Sequence, residues 1–362
     1  MKKMTTREIE EKYKDQIVTI RDLVGDQKPS KLFYTLIDKL GYLLDEDPKK
    51  VLSKEGVERR KAFNKVIKTF GDSFLSSSLK IEDREYLRNK ASNRMDFGPQ
   101  IGEEPVIWAP NHGFRDDTLA TVLAIPRNAY ILFGSLPQYY NTMDGVTAWA
   151  NGSIMVNRNV PSSKKASIKK CEYAVDLGAD LIIFPEGVLN KSPNQLALQL
   201  WPGAYRIAKE KNIKIVPVIH YKRDLHSLDK NDVIHTVIDD PIDVSKMTEK
   251  EALTKLRDTY ATWLYLMMEK YGNSTHEEEV KNYSSSIDAW DSLLTRRIQT
   301  VDRYHFDLET RVQYYDKKQD ELIKVWEDIA SIQNITPSNA RMVEDAKNKV
   351  KELKRCDFQR RF

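Results

Sequence analysis

At 362 residues the chain is long enough for a sizeable core plus extensions, and its 40% hydrophobic and 31% charged content is that of a soluble, helix-rich globular protein. The net charge of +4 is mild; it permits attraction to an anionic membrane or an acidic carrier protein and makes no demand for nucleic acid. Cys171 and Cys356 lie far apart without metal-ligand spacing, which excludes a cysteine metal centre and a dense disulfide framework and fits a reduced, cytoplasmic setting.

The first residues, MKKMTTREIEEKYKDQ, carry basic groups with no apolar core behind them, so no signal peptide is expected. No stretch reaches the roughly 18 apolar residues of a transmembrane helix; any contact with lipid is expected to be peripheral. Residues 1–95 read as helical. Phe33, Leu36, Ile37, Leu40 and Leu44 fall on one apolar stripe, and a more charged helical stretch runs over Val57 to Phe70. A small helical bundle docked on the rest is the plain reading, and a membrane-lying amphipathic helix is the rival.

Between 96 and 271 short apolar runs take over, at Val106–Ala109, Tyr130–Phe133, Ile154–Val156, Leu181–Phe184 and Ile215–Ile219. Helical patterns such as Ser163–Leu177 and Ala204–Lys211 alternate with them. That alternation predicts an α/β domain with a mostly parallel sheet flanked by helices, with functional groups at the carboxyl ends of the strands. Residues 272–362 are strand-poor and charged, with Trp290, Leu293, Leu294 and Ile298, and again Leu322, Val325, Trp326 and Ile329, at helical spacing. They predict a helical C-terminal extension that packs on the body or makes a homo-oligomer.

Four stretches carry candidate chemistry. In Val106-Ile107-Trp108-Ala109-Pro110-Asn111-His112 a strand ends at proline and delivers a histidine, with carboxylates at Asp116 and Asp117. On a continuous helix Asp116, four residues on, would be the partner. Asp117, five residues on, would lie roughly 140° away and could reach the ring only through a turn at Gly113. A carboxylate on one ring nitrogen fixes the tautomer and suits the other for general-base work. Gly152-Ser153-Ile154-Met155-Val156-Asn157-Arg158 ends on an arginine whose planar fork fits a phosphate or carboxylate. Leu181-Ile182-Ile183-Phe184-Pro185-Glu186-Gly187 delivers a glutamate into a turn whose glycine permits close ligand approach; Glu186 either serves a ligand site there or caps and orients the loop. Pro217 inside Ile215–Ile219 predicts an edge strand or a ligand-lining position.

Asn-His-x-x-x-x-Asp, Gly-x-Ile-x-x-x-Arg, Phe-Pro-Glu-Gly and Val-Pro-Val, in this order, resemble the glycerolipid acyltransferases, the family of lysophosphatidic acid and glycerol-3-phosphate acyltransferases. The resemblance covers roughly 105–220 and extends to Trp201-Pro202-Gly203-Ala204-Tyr205-Arg206. It implies His112 as general base, Asp117 as its charge partner, Arg158 on the acceptor phosphate, Glu186 and Gly187 shaping the acceptor site, and Pro217 lining the pocket. The family often continues its third block with Thr-Arg-Ser, whereas Val188-Leu189-Asn190 stand here; Lys191 or Arg206 would have to compensate in gripping a phosphate.

The activity implied is transfer of a fatty acyl group from acyl-CoA or an acyl carrier protein thioester to a hydroxyl of a lysophospholipid or glycerol-3-phosphate. No cofactor and no metal are expected to be bound. The alternatives are the same transfer to a non-phosphate acceptor, such as a sugar or another lipid headgroup, and a non-catalytic membrane or partner scaffold. His220, His226 and His235 read as structural or surface residues. Lys164, Lys165, Lys169 and Lys170 offer either a solvated face or a docking face for an acidic acyl carrier. A P-loop, a dinucleotide glycine fingerprint and a Gly-x-Ser-x-Gly elbow are all missing from the sequence.

Overall fold

The structure, a computed structural model, describes residues 39–75, 77–88, 96–114, 116–134, 143–157, 160–187, 190, 196–223, 231–272, 327, 329–336, 339–340, 343–348 and 350–351. Seven strands are present among the described residues: β1 (Ser78–Ile81), β2 (Val106–Pro110), β3 (Ala129–Phe133), β4 (Ser153–Met155), β5 (Asp180–Ile182), β6 (Lys214–Tyr221) and β7 (Val233–Ile238). They form one sheet in the order β1-β7-β6-β2-β5-β3-β4. Its registered pairs are parallel except β6–β7. The helices are α1 (Pro48–Val51), α2 (Lys54–Phe70), α3 (Arg84–Leu87), α4 (Asp117–Ala124), α5 (Met143–Asn151), α6 (Pro161–Asp176), α7 (Gly203–Lys211) and α8 (Glu249–Tyr271). The protein is thus the mostly parallel α/β sheet flanked by helices that the alternating pattern predicts.

All five predicted apolar runs are strands. β2 is buried along its whole length, as a continuous apolar run in a parallel sheet requires. Two strands escape the sequence reading. β1 lies inside the stretch 1–95 read as helical, where Ser78-Leu79-Lys80-Ile81 is too short to show a period of its own. It exists because β7, more than 150 residues later, supplies a parallel partner from Ser78↔Val233 to Ile81↔Thr236.

The expectation of an edge strand at Pro217 is also corrected, because β6 lies between β7 and β2. The proline is tolerated there for a local reason. In a strand, one residue's N–H and C=O point to the same side, and the Pro217 carbonyl accepts from the Asp239 N–H at 3.0 Å. Beyond Asp239 the partner chain carries one extra residue before it pairs again at Ile215↔Ile242, so Pro217 lies at a bulge, where a missing donor is tolerated.

The chain divides into two compact units. One takes the described residues of Met1–Gly71 and Pro126–Ile182. Its apolar core includes Leu43, Ile131, Ile154, Cys171 and Ile182. α6 opens on Pro161, where a missing N–H costs nothing. Lys164, Lys165 and Lys169 are exposed on it, but Lys170 is buried and its Nζ donates to the Leu43 carbonyl at 3.0 Å. The four lysines therefore do not make one docking face.

The other unit takes the described residues of Asp72–Ile125, Ile183–Ser284 and Arg311–Phe362. α8 begins with a Thr248–Glu251 capping box. The C-terminal residues dock on this helix: Asp258 accepts from the N–H groups of Gln333 (2.7 Å) and Asn334 (2.8 Å), and Asn339 donates to the Thr262 hydroxyl at 3.0 Å. Ile329, Ile332, Val343 and Ala346 are buried there. The stripe at Trp290–Ile298 lies outside the described residues. Among the described residues, no helix is long and apolar enough to cross a membrane.

Candidate active site

β2 ends at Pro110, and the next two residues build the site. Asn111 makes the last backbone bond of the ladder, its N–H donating to the Val218 carbonyl at 3.2 Å, and then extends the ladder with its side chain. Its Oδ1 accepts the His220 N–H at 2.7 Å and its Nδ2 donates to the His220 carbonyl at 3.1 Å. The amide thus mimics a peptide against β6, and it holds the chain where His112 leaves the sheet.

His112 faces Asp117, not Asp116. Nδ1 stands 2.7 Å from Asp117 Oδ2, on a ring whose side chain is 21% exposed, while Asp117 is fully buried. The segment between them is a turn, and its N–H groups at Gly113 (3.0 Å) and Phe114 (3.4 Å) donate to the same Oδ2. A carboxylate is an acceptor only, so Nδ1 carries the proton and Nε2 carries the lone pair. Among the described residues Nε2 has no hydrogen-bond partner. The Phe184 ring packs 4.4 Å from the imidazole, tilted by 42°.

Glu186 lies 1% exposed beneath this turn. Its Oε1 accepts the His112 N–H and its Oε2 accepts the Leu198 N–H, both at 3.1 Å. Burial pushes its pKa up to about 7, against the pull of the two N–H donors. The His112 carbonyl is held as well, accepting the Asn190 N–H. Both backbone groups of His112 are therefore fixed by the segment around the Pro-Glu-Gly turn.

Gly187 closes that turn, its N–H donating to the Phe184 carbonyl at 3.0 Å with φ at +68°. A Cβ here would come within 3.2 Å of the ring of Trp201, a residue whose backbone N–H donates to the Pro185 carbonyl at 2.8 Å. Glycine meets both demands, conformation and space.

A buried layer supports α4, which begins at Asp117. The Thr121 hydroxyl donates to the Asp117 carbonyl at 2.7 Å, so toward His220 Nε2, 2.8 Å away, it must accept. His220 Nδ1 in turn accepts from the Thr236 hydroxyl at 2.8 Å. Burial lowers the His220 pKa to about 4, which keeps this ring neutral and structural. The Tyr260 hydroxyl donates to the Ala109 carbonyl at 2.7 Å, one residue before the end of β2.

Of the residues singled out from sequence, the structure brings together His112, Asp117, Glu186 and Gly187. Pro217 is buried in β6 opposite Ala109 and forms part of the frame. Arg158, Val188, Leu189, Lys191, His226 and Cys356 lie outside the described residues. Arg206 pairs with Glu249 at 3.3 Å. Cys171 is a free, buried thiol whose pKa burial pushes up to about 12, which leaves it without nucleophilic character. The positioning roles of Asn111, Thr121, Thr236 and Tyr260 go unseen in the sequence; only Asn111 had a signal, its place beside the histidine.

Ser78 to Tyr221, from the first residue of β1 to the last of β6, matches the family model described as Acyltransferase. No curated protein sequence matches the chain. The solved structures include a similar one, the 1-acyl-sn-glycerophosphate (LPA) acyltransferase PlsC from Thermotoga maritima, at 16% identity and a TM-score of 0.42, covering 67% of this chain and 96% of that one. The matched segment, which holds the Asn-His and Phe-Pro-Glu-Gly blocks, is thus similar to the Acyltransferase family.

Proposed function

We propose that this protein moves a fatty acyl group from an acyl thioester, on coenzyme A or on an acyl carrier protein, to a hydroxyl of a lysophospholipid or glycerol-3-phosphate. The observation that carries the reading is the His112–Asp117 pair at 2.7 Å, with Nε2 left as the proton acceptor. Nε2 takes the acceptor's hydroxyl proton as the oxygen attacks the thioester carbonyl. The tetrahedral intermediate then collapses with the thiolate leaving, and the imidazolium returns its proton to the sulfur or to water. Asp117 stabilises the imidazolium while it lasts. Glu186, spent on two backbone N–H groups, acts as a positioning residue for His112. Arg158 is assigned to the acceptor's phosphate on the strength of the sequence block alone. The lipid acceptor implies peripheral contact with a membrane.

A second reading keeps the chemistry and changes the acceptor to a non-phosphate alcohol. It is favoured by the Val188-Leu189-Asn190 run, which lacks the hydroxyl and the cation that commonly help to grip phosphate.

The test is turnover with labelled acyl-CoA and acyl carrier protein against lysolipids, glycerol-3-phosphate and sugars. His112→Ala is expected to lose at least about 10²–10⁴ in kcat, the worth of a general base, with an unchanged melting curve. Substantial turnover by that variant sinks the assignment of the base. Product with sugars alone moves the reading to the second acceptor class.

A further inference from the structure

A cavity of about 370 Å³ lies wholly within the unit that takes the described residues of Met1–Gly71 and Pro126–Ile182, a volume inside the roughly 300–1,000 Å³ of ligand pockets. Tyr130, the second residue of β3, and Ser153, the first of β4, both line it. It thus opens at the amino ends of two parallel strands, whereas the catalytic groups of an α/β sheet gather at the carboxyl ends. Gly152 shapes this end: its φ is +114°, and a Cβ there would come within 3.1 Å of the Tyr130 ring. The ring lies directly against the Gly152 backbone, a place that only glycine leaves for it.

α1 contributes Lys49 and Lys50 to the lining and α2 contributes Arg59 and Arg60, while no carboxylate among the described residues lines the cavity. Lys50 is neutralised from outside by Asp45 at 3.1 Å. Lys49, Arg59 and Arg60 have no carboxylate partner among the described residues. Arg60 is nonetheless fixed: its guanidinium lies 4.3 Å over the Trp149 ring and hydrogen-bonds to the Tyr130 hydroxyl. Arg59 gives its Nε to the Glu55 carbonyl at 3.3 Å, which leaves the outer nitrogens of its fork open. Three like charges around one volume repel each other, and an anion placed between them offsets that cost. The apolar lining is of two kinds. Leu43 and Leu52 are spent in the core at 3% and 4% exposed, whereas the rings of Tyr42 and Phe63 stand open at 41% and 46%.

We propose that this cavity binds a nucleoside phosphate, with the phosphate on Arg59, Arg60 and Lys49 and the base against the open rings of Tyr42 and Phe63. Guanidinium forks match phosphate oxygens in pairs, and every base offers a flat face to an aromatic side chain. An acyl chain would need an open aliphatic wall, and here the most open apolar surface belongs to rings, so the phosphate is that of a soluble molecule and not of a lipid. A free nucleotide and the nucleotide end of coenzyme A share this chemistry, and the test separates them.

The test is calorimetric titration of the full chain with ADP, inorganic phosphate and adenosine. Saturable binding of ADP is expected, at least about tenfold tighter than that of either part alone. Arg59→Met with Lys49→Met should weaken ADP and inorganic phosphate alike, at least about tenfold. Tyr42→Ala with Phe63→Ala should weaken ADP by a similar factor and leave inorganic phosphate as it was. All four substituted side chains are exposed, so the unliganded melting curve should not move. Displacement of ADP by coenzyme A identifies the donor's nucleotide as the occupant, and ADP that coenzyme A leaves in place identifies a free nucleotide; either supports the site. Absence of saturable ADP binding, equal affinity for inorganic phosphate, or ADP binding that both variants retain overturns the proposal. So does displacement of ADP by phosphatidylglycerol vesicles, which would give the cavity to a lipid headgroup. None of these readouts uses turnover, so failure here is distinct from failure of the reaction assigned above.

Discussion

His112 is held at three points: its ring by Asp117, its N–H by Glu186, its carbonyl by Asn190. Of these only the carboxylate on Nδ1 meets a charge that develops during the proposed chemistry, as the partner of an imidazolium. Asp117→Asn keeps the shape and an oxygen for the Gly113 and Phe114 N–H groups but removes the charge. It is expected to lower kcat by about 10²–10⁴ with little change in KM, read from steady-state kinetics on the acceptor that the wild type accepts. Asp116→Asn, which alters the carboxylate that does not meet the ring, is the control and should leave kcat within about threefold. A result in the reverse order would return the partner role to Asp116. Spacing alone could not decide between the two, because Asp116 is right for a helix and Asp117 for a turn. The turn is stabilised by Asp117 itself, through two backbone N–H groups that no side-chain pattern displays.

At the scale of elements, the site is built where β2 and β6 stop pairing through their backbones and begin pairing through Asn111. Asn111→Ala leaves the buried N–H and C=O of His220 without those partners, at a cost of about 1–3 kcal/mol for each group. The melting temperature should fall measurably, and kcat should fall with it as His112 loses its anchor; an unchanged melting curve would refute the ladder-mimic role. The strands β2 to β6 were legible because burial over most of their length makes each a continuous apolar run. β1 was not, since four residues with one half-buried face carry no period until β7 arrives beside them. The same logic explains Pro217. Proline in a strand reads as an edge, and only the observed bulge between Asp239 and Ile242 shows how an interior strand can carry it. His112, Asp117, Glu186 and Gly187 were legible as an ordered set of blocks. The layer of Thr121, His220 and Thr236 was not, because hydrogen bonds across three elements leave no trace in local spacing.

At the scale of the whole molecule, the site sits between two buried groups whose titrations oppose each other. Glu186, raised by burial to about 7 from a usual 4.5, holds its proton more tightly folded than unfolded. Its contribution to stability is full below 4.5 and is lost as pH rises toward 7. His220, lowered to about 4 from 6.5, behaves in the opposite sense: the unfolded chain takes the proton first, so its contribution is present above 6.5 and lost as pH falls toward 4. Between 4.5 and 6.5 the two slopes offset. Glu186→Gln should therefore expose the histidine alone, so that acidification from 6.5 to 4.5 lowers the melting temperature more steeply than in the wild type. His220→Gln should do the reverse and make the change less negative or positive. Calorimetry of both variants against the wild type at each pH cancels the remaining groups, and curves parallel to the wild type would remove these residues from the balance. The same titration bears on activity. Only the ionised Glu186 accepts both the His112 and the Leu198 N–H groups without a proton of its own to place. The form that best holds the proposed base is thus the one that the fold disfavours, and Glu186→Gln, which trades one of the two acceptor oxygens for an NH2 group, should lower kcat across the pH range while the rising limb of the base itself remains.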